Sequence, residues 1–136
     1  MPALTCILLV DDDRTTNYLN QLLLTQMGVA ERVLVAEDGA QALQLLAQLS
    51  EDPAAAAGPQ LILLDMNMPV LNGLGFLEAY DQLPPARQSA VVIAMLTVSL
   101  HPRDLARAQQ LPVAGFASKP LTREKVTELL QHHFAQ

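Results

Sequence analysis

Three acids, Asp11, Asp12 and Asp13, stand in a row directly after the apolar run Ile7 to Val10, and a fourth, Asp65, follows the apolar run LILL. Carboxylates about 4 Å apart repel by roughly 4 kcal/mol at an effective dielectric near 20, so such a cluster needs an offsetting charge. A hard divalent cation supplies it. Mg²⁺ takes oxygen ligands, keeps several waters, and is held by one or two carboxylates together with a phosphoryl oxygen. A carboxylate is also a nucleophile toward phosphorus, giving an aspartyl phosphate, once its own charge and that of the phosphoryl group are screened. Thr97, after VVIAML, offers a hydroxyl for that screening, and Lys119, just beyond GFAS, offers an ammonium. The chain has no G-x-x-x-x-G-K-[ST] loop and no G-x-G-x-x-G, so no nucleotide cradle is encoded and the phosphoryl group comes from another molecule.

These residues share one feature of placement: each follows a short continuous apolar run. Runs at Cys6 to Val10, Val33 to Ala36, Leu61 to Leu64, Ala90 to Leu96 and Val113 to Ala117 read as strands buried on both faces. Helical spacing lies between them, at Leu19, Leu22, Leu23 and Met27, at Leu43, Leu46 and Ala47, and at Val126, Leu129, Leu130 and Phe134. Gly28 stops the first helix, Asp38 and Gly39 open the second, and Pro102 opens a fourth. The segment Glu51 to Gln60 reads as a long loop, with its four alanines as a possible helix extension. Alternation of strands and helices predicts an α/β domain with a parallel sheet and right-handed crossovers. Ligands of such sheets bind beyond the carboxyl ends of the strands, which is where the acids, Thr97 and Lys119 fall.

Composition narrows the class further. A chain of 136 residues with 51% hydrophobic residues has the length of one ordinary domain and enough apolar side chains for a core. Its apolar runs are far shorter than the ~18 residues of a membrane span. No basic segment precedes the first apolar run, so a cytoplasmic protein is expected. The net charge of −6 argues against a phosphate-backbone footprint, and hence against direct nucleic-acid binding. Cys6 is the single cysteine and reads as a small buried side chain. His132 and His133 are adjacent on a helical stretch, where neighbours point apart, and read as solvated; His101, before Pro102, reads as a helix-start residue.

Taken together, VDDD at Val10 to Asp13, DMNMP at Asp65 to Pro69, NG at Asn72 and Gly73, MLT at Met95 to Thr97 and SKP at Ser118 to Pro120 resemble the receiver domains of response regulators. The resemblance covers nearly the whole chain. It implies a flavodoxin-like, doubly wound sheet of five strands in the order 2-1-3-4-5 with five helices. It also implies phosphoryl transfer from a phosphohistidine of a sensor histidine kinase or histidine phosphotransfer protein. By position, Asp65 is then the phosphoacceptor, and Asp11 and Asp12 are the acidic pair. Asp12 would bind Mg²⁺ directly and Asp11 through water, with Asp65 and the Asn67 backbone carbonyl as further ligands. Thr97 and Lys119 would hold the phosphoryl oxygens. Phe116 takes the aromatic switch position, coupling the site to the α4-β5-α5 surface, and the phosphorylated domain then either binds an unnamed downstream protein or passes the phosphoryl group on. Asp13 lies outside the pair and is expected to cap a helix or to be solvated. The sequence departs from the family at Val98, a bulkier gate where Ala or Gly is usual, while Asn67 and Ser99 flank the site. With the fifth helix at its end, the chain resembles the stand-alone, chemotaxis-regulator-like members, a single receiver without an output domain.

An enzymatic alternative reads the same acids differently. Asp11, Asp13 and Thr15 satisfy D-x-D-x-T, which resembles the first motif of haloacid-dehalogenase-type phosphatases, with Asp11 as nucleophile. The chain is short for that fold with its cap, and no later acidic pair follows LILL. A flavodoxin-type electron carrier shares the topology, but three acids would repel a flavin phosphate. The expected function is therefore signalling, with catalysis limited to the domain's own phosphorylation and dephosphorylation.

Overall fold

A computed structural model describes residues 4–51, 59–66, 68, 70–83, 92–97, 102–111 and 113–134, with residues 50, 51, 104 and 105 described by backbone alone. Strands and helices alternate as β1 (Leu4–Val10), α1 (Arg14–Met27), β2 (Ala30–Ala36), α2 (Gly39–Glu51), β3 (Leu61–Asp65), α3 (Gly73–Asp81), β4 (Val92–Thr97), α4 (Pro102–Ala108), β5 (Gly115–Ser118) and α5 (Arg123–Phe134). The five strands form one parallel sheet in the order β2-β1-β3-β4-β5, as expected.

Side chains alternate across the central strands, and this splits each apolar run between two cores. Leu8, Val10, Ile62, Leu64, Ile93 and Met95 face α2 and α3, where Ala42, Phe76, Leu77 and Tyr80 meet them. Ile7, Leu9, Leu61, Leu63, Ala94 and Leu96 face α1 and α5, where Leu24, Val126 and Leu129 meet them. Phe76 and Tyr80 stack at a centroid distance of 6.0 Å within the first core. Cys6 is fully buried, as expected, and burial pushes its thiol above the ordinary range.

Three sequence expectations are corrected by packing. The edge strands β2 and β5 are not buried on both faces, because each has a neighbour on one side only; their residues range from half-buried to exposed, apart from Ala36. The inward stripe of α1 is only half of the expected Leu19, Leu22, Leu23 and Met27. Leu19 and Leu22 are exposed, and the buried residues are Asn17, Asn20 and Leu24, with Leu23 and Met27 packed at the margin of the core. Finally, His132 and His133 do not point apart: their rings meet edge-on at 4.7 Å. Helix α3 carries no stripe in the sequence reading, although Phe76, Leu77 and Tyr80 have the spacing of one.

Helix ends follow their signals. Asp13 caps α1, its carboxylate accepting from the Thr15 amide at 3.0 Å and the Thr16 hydroxyl at 2.8 Å. Gly28 ends the same helix at φ +65°, a left-handed conformation that glycine adopts without a side-chain clash. Asp38 accepts from the Gln41 amide at 2.8 Å at the start of α2, and Pro102 opens α4. The alanine-rich connection falls mostly on residues 52–58, outside the described residues.

Candidate functional site

Strand register brings the chemical residues together. Val10 pairs with Leu64, so the next residues, Asp11 and Asp65, leave adjacent strand ends side by side. Asp65 pairs with Leu96, which places Thr97 one residue further along the neighbouring strand, and Thr97 pairs with Ser118, which precedes Lys119. The Lys119 amide donates to the Thr97 carbonyl at 2.9 Å, extending that alignment past the end of β5. The peptide between Lys119 and Pro120 is cis.

The result is a compact charge cluster. Carboxylate oxygens of Asp11, Asp12 and Asp65 lie within 4.8 Å of one another. Asp11 and Asp65 are buried, at 5% and 7% exposure, whereas Asp12 is exposed. The Lys119 ammonium reaches into the group, 2.8 Å from Asp11 Oδ2 and 2.9 Å from Asp65 Oδ1. Burial acts to lower the Lys119 pKa, but hydrogen bonds and charge attraction from Asp11 and Asp65 outweigh it and hold the ammonium above its ordinary value. Three carboxylates against one ammonium leave two formal negative charges, a balance that a divalent cation would neutralise. An all-oxygen carboxylate set suits a hard cation of the Mg²⁺ type.

The backbone around the cluster is tightly specified. Gly73 begins α3 with its amide bonded to the Met66 carbonyl at 2.9 Å, and a Cβ there would stand 2.6 Å from the Asp65 carbonyl oxygen. That contact is the physical content of the Asn-Gly motif: Asn72 caps α3 by accepting from the Gly75 amide, and Gly73 lets the helix approach the Asp65 backbone. Val70, in the same loop, has φ +66° and is 84% exposed, a conformation that costs a β-branched residue about 1–2 kcal/mol. Thr97 is buried at the end of β4, while Phe116 on β5 is 37% exposed. Phe116 borders a cleft of 810 Å³ between β5 and α5, set apart from the acidic cluster and lined also by Ser118, Lys125, Leu129, His132 and His133. Burial and the neighbouring His132 push His133 below the ordinary imidazole range.

Two polar residues near the site escaped the sequence reading. Asn17 is buried and donates to the Asp11 carbonyl at 2.7 Å. Lys125 clamps the segment that carries Lys119, its ammonium reaching the Ser118 carbonyl at 2.8 Å, the Ser118 hydroxyl at 3.0 Å and the Pro120 carbonyl at 2.9 Å. For Asn17 a signal existed, since it lies one turn beyond the cap Asp13; for Lys125 none did. Asn67, Val98, Ser99 and His101 lie outside the described residues.

Residues 7–131 match the response regulator receiver domain family. The chain belongs to that family. Among its relatives, a probable chemotaxis protein CheY of Rhizobium etli is 32% identical over 94% of this chain and 91% of its own length. The transcriptional regulatory protein CpxR of Escherichia coli is 36% identical over 90% of this chain, which spans 47% of that longer relative. A two-component response regulator from Cytophaga hutchinsonii superposes with a TM-score of 0.82 at 30% identity, covering 94% of this chain and 95% of the other. Chemotaxis protein CheY4 of Vibrio cholerae superposes with a TM-score of 0.75 at 27% identity, covering 95% and 98%. The receiver is thus a two-component signalling domain and not a classical enzyme, with histidine kinases or phosphotransfer proteins as its class of partner. Among the described residues, no helix is long and apolar enough to cross a membrane.

Proposed function

We propose that this receiver accepts a phosphoryl group on Asp65 from a phosphohistidine of a partner kinase or histidine phosphotransfer protein, and carries the signal on its own α4-β5-α5 surface. The observation that carries the proposal is the Lys119 ammonium held between the buried carboxylates of Asp11 and Asp65, with Asp12 beside them. Asp65 is the nucleophile and Asp11 is a fixture. Both Asp11 oxygens are engaged, Oδ1 by the Asp13 amide at 2.9 Å and Oδ2 by Lys119. An Asp65 oxygen forms the new bond to phosphorus as the P–N bond to the donor histidine breaks, and the electron pair leaves with the imidazole nitrogen.

Asp11, Asp12 and Asp65 would hold Mg²⁺, with the Asn67 carbonyl as the further ligand implied by the family. When bound, the ion supplies positive charge that screens the nucleophile from the phosphoryl oxygens. Lys119 turns from pairing carboxylates to pairing a phosphoryl oxygen, and the Thr97 hydroxyl takes another. Drawing Thr97 toward the site opens space beside β5 that Phe116, half-turned to solvent, can fill. A partner that reads this switch must bind the two positions of Phe116 with different affinity.

Beryllofluoride with Mg²⁺, standing in for the phosphoryl group, tests both halves of the proposal. Backbone amide NMR signals should move in the pocket, from residues 101 to 109 and around Phe116. Asp65→Asn should abolish every change, and Thr97→Ala should keep the pocket changes but lose most of the remote ones. Remote shifts that survive Thr97→Ala would overturn the coupling.

A further inference from the structure

The inward face of α1 starts polar where an apolar face would pack better. Asn17 is 4% exposed and Asn20 8% exposed, and only from Leu24 does the stripe become apolar. Asn17 spends its amide in one direction. Its Nδ2 donates to the Asp11 carbonyl at 2.7 Å, and its Oδ1 is buried with no hydrogen-bond partner among the described residues. Turning the amide over would set oxygen against oxygen, so the donor is fixed on the Asp11 side. A buried amide oxygen without a partner costs about 1–3 kcal/mol, which a leucine of similar size would avoid. The group that Asn17 holds explains why an asparagine stands there.

That carbonyl belongs to the planar peptide joining Asp11 to Asp12. Holding its oxygen fixes the rotation on both sides of the peptide, and with it the direction in which the two carboxylates leave the chain. The Asp11 amide is already tied to the Ala36 carbonyl at 3.1 Å. With both ends of the residue held, the turn after β1 is rigid. We infer that Asn17 is a positioning residue of the acidic site: its side-chain amide locks the Asp11–Asp12 peptide so that both carboxylates are aimed beside Asp65 before any cation arrives. This inference rests on the reading of the cluster as a Mg²⁺ site. Nothing in it requires Asn17 to touch the ion.

The test titrates Mg²⁺ into wild type, Asn17→Leu and Asn17→Ala, followed by amide NMR, alongside thermal melts of the metal-free proteins. Both variants remove the donor, but leucine fills the space and alanine leaves a cavity. Mg²⁺ affinity should fall by roughly ten- to a hundred-fold in both, the range for losing a group that orients a metal ligand, while only the alanine variant melts markedly lower. Without metal, the carbonyl carbon resonance of Asp11 should shift in both variants. Wild-type affinity in either folded variant would overturn the inference, as would an affinity loss that follows melting temperature and spares the leucine variant. A wild-type protein that binds no Mg²⁺ would instead overturn the site reading beneath it.

Discussion

Lys119 balances the site, because it is the cation that two buried carboxylates share. Breaking a buried ion pair by removing one partner leaves uncompensated charge and costs about 3–5 kcal/mol. Lys119→Met should therefore destabilise the metal-free protein by roughly 3 kcal/mol in urea unfolding, and added Mg²⁺ should recover part of the loss. A variant as stable as wild type in chelator would contradict this balance. Two residues also make alkaline pH destabilising. Burial pushes the Tyr80 phenol up to about 12, and the carboxylates around Lys119 raise its ammonium despite burial. A pKa raised on folding gives stability that is present below the unfolded value and lost as pH rises through the folded one. Tyrosine ionises at about 10 when unfolded, so Tyr80 alone should remove about 1 kcal/mol between about pH 9 and about pH 11. Tyr80→Phe should show a correspondingly shallower alkaline decline in urea midpoints.

Helix α1 separates what its pattern suggests from what its packing uses. Leu24 is fully buried between the sheet and α5, whereas Leu19 and Leu22 are 55% and 42% exposed. Leu24→Ala should cost about 2–4 kcal/mol, while Leu19→Lys and Leu22→Lys should each stay within about 0.5 kcal/mol, measured by chemical denaturation. Counting apolar residues alone put the stripe off centre: it took in the exposed Leu19 and Leu22 beside Leu23 and Met27, which do pack against the core, and it missed Asn17 and Asn20. Helix α3 went unread for a related reason: nine residues give only about two and a half turns, and Asn72 and Gly73 at its start were read as part of the family resemblance, not as a cap. The strands fared better, since continuous apolar runs are read without knowing which face each residue takes. Their edges were not legible, because edge position follows from strand order and not from any one strand's residues.

Topology turns five short runs into one site. A parallel sheet aligns all its strand ends on one side, so an acidic pair after β1, an acid closing β3, a hydroxyl closing β4 and a lysine beyond β5 converge although more than a hundred residues separate Asp11 from Lys119. That is why Asp11, Asp12, Asp65, Thr97 and Lys119 were readable in order along the chain. Asn17 and Lys125 were missed, because each acts through the backbone of a neighbour: Asn17 had only its place one turn beyond the cap Asp13 to mark it, and Lys125 had nothing. Of the three carboxylates this convergence gathers, Asp65 and Asp11 are the rival nucleophiles, and the account stands on which one attacks phosphorus. Incubation with Mg²⁺ and acetyl phosphate, followed by chemical trapping of the acyl phosphate and peptide mass mapping, decides between them. The account predicts label on Asp65 and none in Asp65→Asn; label on Asp11 would contradict it.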